Sequence, residues 1–142
     1  MQRVKEVMTK PVAMVKDTDT IEFAARLMRD LEIGFLVVAD KDAPVGCITD
    51  RDIVTQGAAK GWDPALHLVE EVMTPALVSC SENTKVERAA RLMEKNKIYR
   101  LVVHDNNHKA IGVLSYGDLT ARCNPPIDLT ETLRVVAHVA NQ

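Results

Sequence analysis

The sequence predicts a mixed α/β (α+β) fold of two pseudo-twofold-related β-α-β-β-α repeats, packed sheet to sheet and followed by a C-terminal helix. Three blocks of sequence that occur twice at a constant offset predict this duplication. The pairs are Glu6-Val7-Met8-Thr9 with Glu71-Val72-Met73-Thr74, Ala24-Ala25-Arg26-Leu27-Met28 with Ala89-Ala90-Arg91-Leu92-Met93, and Val37-Val38 with Val102-Val103. The offset grows by one residue before Gly46 and Gly112, which indicates an insertion in a surface turn.

The elements of the first repeat follow from local patterns. Acidic and hydroxyl residues at 17–20 supply helix N-caps, and the apolar residues at 21–31 recur at helical spacing. The run at 35–38 is continuous and β-prone, as expected of a strand covered on both faces. We predict a strand or an extended entry at 11–15, a helix at 21–31, a strand at 35–38, a turn at 40–44, a strand at 45–48 and a second helix from residue 50.

The second repeat has the same order of patterns. We predict a strand at 77–80, a helix at 84–96, a strand at 98–103, a turn at 105–108, a strand at 111–114 and a helix at 116–122. Neither copy buries its sheet alone, so the two copies are expected to pack face to face.

The segments outside the repeats form a connector and a tail. In the connector at 57–69, Asp63-Pro64 is typical of an N-cap followed by proline at the first helical position, and Trp62 is expected to anchor the segment. Apolar residues at 127–140 recur at helical spacing, and Asp128 with Glu131 resembles a capping box. The predicted organisation is repeat 1 at 1–60, the connector at 61–70, repeat 2 at 71–123 and a helical tail at 124–142.

Composition excludes several classes of protein. A net charge of −2 and a pI near 6.1 give no global footprint for nucleic acid or an anionic membrane. No apolar run approaches the roughly 18 residues that span a bilayer, and the charged N-terminus lacks the apolar core of a signal peptide. Three well-separated cysteines without a CxxC motif predict reduced thiols. We therefore expect a cytoplasmic protein with no nucleic-acid or membrane partner and, at 4% aromatic residues, an aliphatic core.

The strongest chemical signal is a motif that both repeats share, Gly followed by two apolar residues, a hydroxyl residue, two variable residues and Asp. Thr49 and Ser115 stand where a strand ends and a helix begins, so they can cap the helix, and free backbone amides there favour an anion. Asp52 and Asp118, one turn later, can accept hydrogen bonds from a vicinal diol. The alternative is that these four residues only cap helices and complement helix dipoles. Duplication of the motif in register favours a nucleotide site.

A catalytic function is not predicted. The sequence lacks Gly-x-Ser-x-Gly, Gly-x-x-x-x-Gly-Lys and His-Glu-x-x-His motifs. His104 and His108 lie four residues apart in a segment rich in asparagine, which favours a solvated turn over a metal pair. An enzymatic or redox use of Cys47 or Cys80 is the weakest alternative, since Cys47 reads as a small buried apolar residue.

The duplicated blocks together resemble a pair of cystathionine-β-synthase (CBS) domains, the tandem known as a Bateman module. The resemblance covers about residues 4–122 and rests on the Val-Met-Thr blocks, the Ala-Ala-Arg-Leu-Met helices, the Val-Val strands and the two Gly-x-x-Thr/Ser-x-x-Asp segments. All four features occur in order, twice. The run from Thr49 to Val54 followed by Gly57 is similar to the small stand-alone two-domain members from bacteria and archaea.

The resemblance implies a module with two symmetry-related clefts that bind adenosyl ligands such as AMP, ADP, ATP or S-adenosylmethionine, and no cofactor. Thr49 with Asp52, and Ser115 with Asp118, would hold ribose and phosphate. The remaining implied site residues are Thr9 and Thr74, which would approach the adenine, and Arg100 and Arg51, which would reach phosphate because guanidinium groups suit it.

The two copies differ in their charged phosphate contacts. Phe35 stands where the second copy has Arg100, and Gly117 stands where the first has Arg51, so one cleft is expected to bind better. The resemblance also implies a homodimer through the repeat helices. The leading hypothesis is a non-enzymatic adenosyl-nucleotide sensor with ligand in the inter-repeat cleft and an unidentified effector protein. The alternative is a ligand-free dimerisation or protein-interaction scaffold.

Overall fold

The computed structural model describes residues 2–41 and 43–124 of the chain, and the predicted tail helix at 127–140 lies outside them. The described elements confirm two β-α-β-β-α repeats of the α+β class. They are β1 (Met14–Lys16), α1 (Ile21–Leu31), β2 (Phe35–Asp40), β3 (Ala43–Thr49), α2 (Asp50–Asp52), β4 (Ser79–Ser81), α3 (Val86–Asn96), β5 (Arg100–His104), β6 (Ala110–Ser115) and α4 (Tyr116–Arg122). A π-helical turn at Ile53–Gly57 and a 3-10 turn at Ala58–Lys60 continue α2.

The first helix shows how local chemistry sets its ends. The hydroxyl of Thr20 accepts a hydrogen bond from the Phe23 amide, and the chain leaves the helix at Glu32 in the left-handed conformation. Ile21, Ala24 and Met28 are buried along one stripe. The predicted bounds of this helix are therefore confirmed, whereas α3 begins two residues later than predicted.

The chain divides into two compact units. Ala13–Leu77 forms one, here called the Thr49 unit, and Met1–Val12 with Val78–Gln142 forms the other, the Ser115 unit. Each unit therefore combines the body of one repeat with the leading segment of the other repeat.

Each unit contains one three-stranded sheet. In the Thr49 unit β1 is parallel to β2 and β2 is antiparallel to β3, and β4, β5 and β6 repeat this order in the Ser115 unit. The antiparallel registers agree, because Phe35 is opposite Thr49 as Arg100 is opposite Ser115. The turn between β5 and β6 is longer than the turn between β2 and β3, so the single-residue insertion lies in a turn, as predicted.

Each unit has its own aliphatic core, as the composition predicted. Alanines of the repeated helix block are part of these cores, since Ala24 and Ala89 are fully buried and Ala90 nearly so. The Thr49 unit buries Val15, Ile21, Ala24, Met28, Leu36, Val38, Ile48, Val69 and Val72. The Ser115 unit buries Val4, Val7, Met8, Cys80, Val86, Ala89, Ala90, Met93, Leu101, Val103, Leu114, Leu119 and Cys123.

The glutamate that begins each repeated Glu-Val-Met-Thr block is the last residue of a short 3-10 turn. The two turns are Val4–Glu6 and Val69–Glu71. In each turn the glutamate carboxylate accepts a hydrogen bond of 2.6 Å from the backbone amide three residues earlier. The valine that follows is buried in the core of its unit. The block is therefore a capped turn with an apolar anchor, which brings its threonine to the sheet.

Those threonines extend each sheet at one edge. Thr74 exchanges two backbone hydrogen bonds with Cys47, and Thr9 exchanges two with Val113. The neighbouring glycines make this approach possible. A Cβ on Gly46 would lie 2.3 Å from the Thr74 carbonyl oxygen, and one on Gly112 would lie 2.8 Å from that of Thr9.

The connector differs from its prediction. Residues after Asp63 form a turn rather than a helix, because the Asp63 side chain accepts a hydrogen bond from the Ala65 amide two residues on and closes an Asx turn. Trp62 packs against the core of the Thr49 unit and stacks on His67, with ring centroids 4.1 Å apart. The anchoring role expected of Trp62 is therefore confirmed.

Among the described residues, no helix has the length and apolar character needed to cross a bilayer.

We predict that Gly46→Ala lowers the free energy of unfolding by about 1–3 kcal/mol, because the added methyl group overlaps the Thr74 backbone. Urea denaturation followed by circular dichroism measures the change. The matched control is Gly117→Ala in α4, where the new Cβ lies 3.6 Å from the nearest atom, the Ser115 Oγ, and alanine favours the helix. A Gly46→Ala protein as stable as the wild type would contradict the close-approach role of this glycine.

Candidate functional site

The duplicated motif forms a reciprocal cap at the start of α2. The Asp52 amide donates to the Thr49 hydroxyl over 3.1 Å, and the Thr49 amide donates to Asp52 Oδ2 over 3.0 Å. Among the described residues, the Thr49 amide is the only hydrogen-bond donor to this carboxylate. The cap fixes the side chain of Asp52 while leaving acceptor capacity on it.

The leading segment of the second repeat brings Thr74 to the same place. Asp52 and Thr74 line one open pocket of about 230 Å³ within the Thr49 unit. The other lining residues are Gln56, Glu71, Val72, Met73 and Pro75. The lining residues therefore supply two carboxylates, one amide and one hydroxyl beside apolar side chains, and a small set of convergent polar groups is what fixes a small ligand in its site.

The backbone amides at the start of α2 already have acceptors. The Asp50 amide donates to the Gly34 carbonyl over 3.0 Å, and the Arg51 amide donates to Asp50 Oδ1 over 2.8 Å. The Asp52 amide donates to Thr49, as described above. The sequence suggested free amides for an anion at this helix start, and the structure shows them occupied.

The Ser115 unit has the same cap with a more enclosed carboxylate. The Asp118 amide donates to Ser115 Oγ over 3.0 Å, and the Ser115 amide donates to Asp118 Oδ2 over 2.9 Å. The Thr9 hydroxyl adds hydrogen bonds of 3.1 and 3.3 Å to the two oxygens of Asp118. Asp118 is only 8% exposed, so its carboxylate is largely committed to its own chain.

An arginine completes this enclosure. Arg122 Nε lies 3.9 Å from Asp118 Oδ1, and Arg122 Nη1 lies 3.3 Å from the Met8 carbonyl oxygen and 3.5 Å from that of Val7. The side chain thus ties α4 to the leading segment that carries Thr9. The sequence analysis did not single out Arg122.

The structure therefore brings the predicted residues together in two sets. Thr74 lies with Thr49 and Asp52, and Thr9 lies with Ser115 and Asp118, so each leading threonine serves the motif of the other repeat. Arg51 lies exposed in the first turn of α2, and Arg100 lies exposed at the start of β5, opposite Ser115. Neither arginine lines the pocket that contains Asp52.

Three residues of the Thr49 unit were missed by the sequence analysis. Gln56 and Glu71 line the pocket, and His67 places Nδ1 3.0 Å from Glu71 Oε1. The Leu68 amide, with a smaller effect from His67, lowers the pKa of Glu71 below its ordinary value of 4.5. Glu71 therefore carries a negative charge at the pocket at neutral pH. The glutamate that both repeats share was the signal in the sequence that could have identified Glu71.

The cysteines and histidines offer no second site in the part of the chain that the structure describes. No group of three or more metal-ligating side chains is found there, and the His104 and His108 rings lie in a turn with centroids 5.2 Å apart. Cys80 is buried, and desolvation raises the pKa of its thiol to about 11, with a smaller opposing effect from Thr84. A thiol with that pKa is a weak nucleophile at neutral pH.

Comparison with known proteins places this geometry in a family. A family model described as "CBS domain" matches residues 4–58 and again residues 69–124. The CBS domain-containing protein YhcV of Bacillus subtilis is 39% identical over 119 residues, which are 84% of this chain and 84% of YhcV. The resemblance found in the sequence is therefore confirmed.

Solved structures agree on the fold. A crystal structure of the conserved CBS domain protein TA0289, of unknown function, from Thermoplasma acidophilum has a TM-score of 0.81 at 19% identity and covers 99% of this chain and 77% of its own. The CBS domain pair of MJ0100, crystallised with 5′-methylthioadenosine and S-adenosyl-L-methionine, has a TM-score of 0.72 at 26% identity. That match covers 82% of this chain and 91% of the MJ0100 chain.

We predict that the Glu71 cap makes the protein sensitive to acid. Because the pKa of Glu71 is lower in the folded state than its ordinary value of 4.5, its contribution to stability is present above about pH 4.5. That contribution is lost as the pH falls through the folded-state pKa. Urea denaturation between pH 7 and pH 3 should show a shallower loss of stability for Glu71→Gln than for the wild type.

The matched control for this prediction is Glu70→Gln. The Glu70 carboxylate accepts no hydrogen bond from the described residues, so its variant should keep the wild-type pH dependence. Asp105, whose pKa is lowered mainly by the Lys109 amide, leaves some acid dependence in every variant. Identical pH profiles for the Glu71 variant and the wild type would contradict the cap.

We predict that Cys80 reacts slowly in the native protein. A rise in its pKa from 9.0 to about 11 lowers the thiolate fraction at pH 8 by about 100-fold, because thiolate is the reactive form. Ellman's reagent on a Cys47→Ala, Cys123→Ala protein measures the rate, with the same protein in guanidinium chloride as the control. A native rate equal to the unfolded rate would revive the redox hypothesis for Cys80.

Proposed function

The chain belongs to the CBS domain family with two such domains in tandem, and from that premise we propose that it is a regulatory module whose Thr49 unit binds an adenosyl compound. The observation that carries this proposal is the Asp52 carboxylate, which is held by the Thr49 cap and lines an open pocket. A fixed carboxylate with unused acceptor capacity suits the two hydroxyls of a ribose.

The charge of the pocket supports a particular class of adenosyl compound. Its lining residues include Asp52 and Glu71 but no lysine or arginine, and the first amides of α2 are occupied. A phosphate would meet two negative charges there, whereas a sulfonium or an uncharged thioether would not. We therefore propose S-adenosylmethionine or a related thioether in preference to AMP, ADP or ATP. The ligands crystallised with the MJ0100 domain pair are of this class.

The proposed action is binding rather than catalysis. A ligand that prefers one conformation of the Thr49 unit would bias the module toward that conformation, and an effector protein would read the difference. A cytoplasmic location and a homodimer remain predictions from the sequence. For the dimer, α1 offers the half-exposed side chains of Phe23 and Leu31 rather than Ala24, which is part of the core.

The competing function is a scaffold without a ligand. It is favoured by the role that Asp52 already plays in capping α2, since helix capping alone explains the motif.

A thermal-shift experiment separates the two functions. S-adenosylmethionine at about 100 times its dissociation constant should stabilise the wild type by about 2.7 kcal/mol and raise its Tm by several degrees. Asp52→Asn keeps an oxygen for the Thr49 amide but loses the negative charge, so we expect it to fold with the shift abolished. AMP and ATP at the same concentration should give smaller shifts.

The matched control is Asp50→Asn, two residues before Asp52 and outside the pocket lining, which should keep the wild-type shift. If AMP or ATP gave a larger shift than S-adenosylmethionine, the proposed ligand class would be wrong, but the proposed sensor function would stand. No shift with any adenosyl compound would favour the scaffold.

A further inference from the structure

The two copies of the motif differ at one position that the sequence repeat aligns. Gly46 aligns with Gly112 and Asp52 with Asp118, so the same offset aligns Gln56 with Arg122. Gln56 lines the pocket that contains Asp52, whereas Arg122 reaches both Asp118 and the leading segment. A neutral amide and a guanidinium thus stand at equivalent positions beside equivalent carboxylates.

The carboxylates differ accordingly. Asp118 lies within reach of the Arg122 guanidinium and accepts hydrogen bonds from the Ser115 amide and the Thr9 hydroxyl. The side chain of Asp118 is 10% exposed. Asp52 accepts from the Thr49 amide alone within the described residues, and Thr74, which corresponds to Thr9, donates no hydrogen bond to it there.

We propose that Arg122 is a latch that closes the Ser115 copy of the binding motif, so that the chain binds one adenosyl ligand, in the Thr49 unit. The proposal rests on the proposed function and adds the determinant of which copy is open. A ribose can reach Asp118 only by displacing the Thr9 hydroxyl and by moving a guanidinium that also holds the Val7 and Met8 carbonyls. In the Thr49 unit no such displacement is required.

A single side chain, that of Arg122, contacts both the carboxylate of Asp118 and the backbone of the leading segment. Arg122 is at the last residue of α4, Asp118 lies one turn earlier, and the two carbonyls belong to the segment before Thr9. The geometry of the latch therefore depends on charge and length together, and a glutamine at the same position cannot reproduce the ion pair. This dependence makes the reciprocal exchange of Arg122 and Gln56 the natural test.

The experiment is isothermal titration of the full chain with S-adenosylmethionine, followed by AMP as a second probe. We expect one site per chain in the wild type and two in Arg122→Gln, the second being weaker. In the reciprocal variant, Gln56→Arg, the imported guanidinium should pair with Asp52 and weaken binding at least tenfold. Arg91→Gln, an exposed arginine of α3, is the matched control and should keep one site with wild-type affinity.

The outcomes separate the latch from the proposed function. Two sites in the wild type, or one site in a folded Arg122→Gln protein, would overturn the latch while leaving adenosyl binding intact. If Arg122→Gln does not fold, unaltered affinity in Gln56→Arg overturns the latch and a tenfold loss at unchanged Tm supports it. No binding of either probe to the wild type would overturn both the latch and the function on which it rests.

Discussion

The backbone pairing between a leading threonine and a glycine-containing strand is the constraint on which each unit depends. At Gly46 and Gly112 the absence of a side chain lets the Thr74 and Thr9 carbonyls approach to distances that a Cβ would forbid. This pairing sets the position of the leading segment, and the buried valine of the capped turn fixes it against the core. The threonine then lies beside the capped aspartate of the same unit. Sheet edge, core and candidate site are therefore determined by one contact.

Duplication placed the same parts in both units, but small differences give the parts different chemistry. Both motifs form the reciprocal hydroxyl and carboxylate cap, so capping alone does not distinguish them. The difference arises in the residues around the cap. Thr9 and Arg122 contact Asp118, whereas the corresponding Thr74 and Gln56 leave Asp52 with capacity for another hydrogen-bond partner. The duplicated motif thus contains one carboxylate enclosed by its own chain, Asp118, and one that keeps spare acceptor capacity, Asp52.

Much of the fold could be predicted because its signals are local. Helical spacing, continuous β-prone runs and N-cap chemistry determined the order of elements, and the offset of the repeat located the insertion in a turn. The helix predicted in the connector was wrong because an aspartate before a proline can close an Asx turn as readily as it can cap a helix. For the candidate site, the sequence pointed to the aspartates and hydroxyls but did not indicate how they are grouped. Thr9 contacts a carboxylate 109 residues away, and no local pattern indicates which repeat a leading segment will join.

The exchange of leading segments also has a consequence for how the chain acquires its structure. The Thr49 unit is a single continuous stretch, Ala13–Leu77, so all of its parts emerge from the ribosome before the body of the second repeat emerges. The Ser115 unit requires the segment before residue 13 to wait until α4 has been synthesised, because Met8 and Arg122 meet only then. Bringing the segment before residue 13 to α4 closes a long loop, and this step is slower than folding of the Thr49 unit. The chain loses the entropy of the loop before the stabilising contacts form. The Thr49 unit, which has the open pocket, is therefore the first to be complete during translation, and the Ser115 unit is the last.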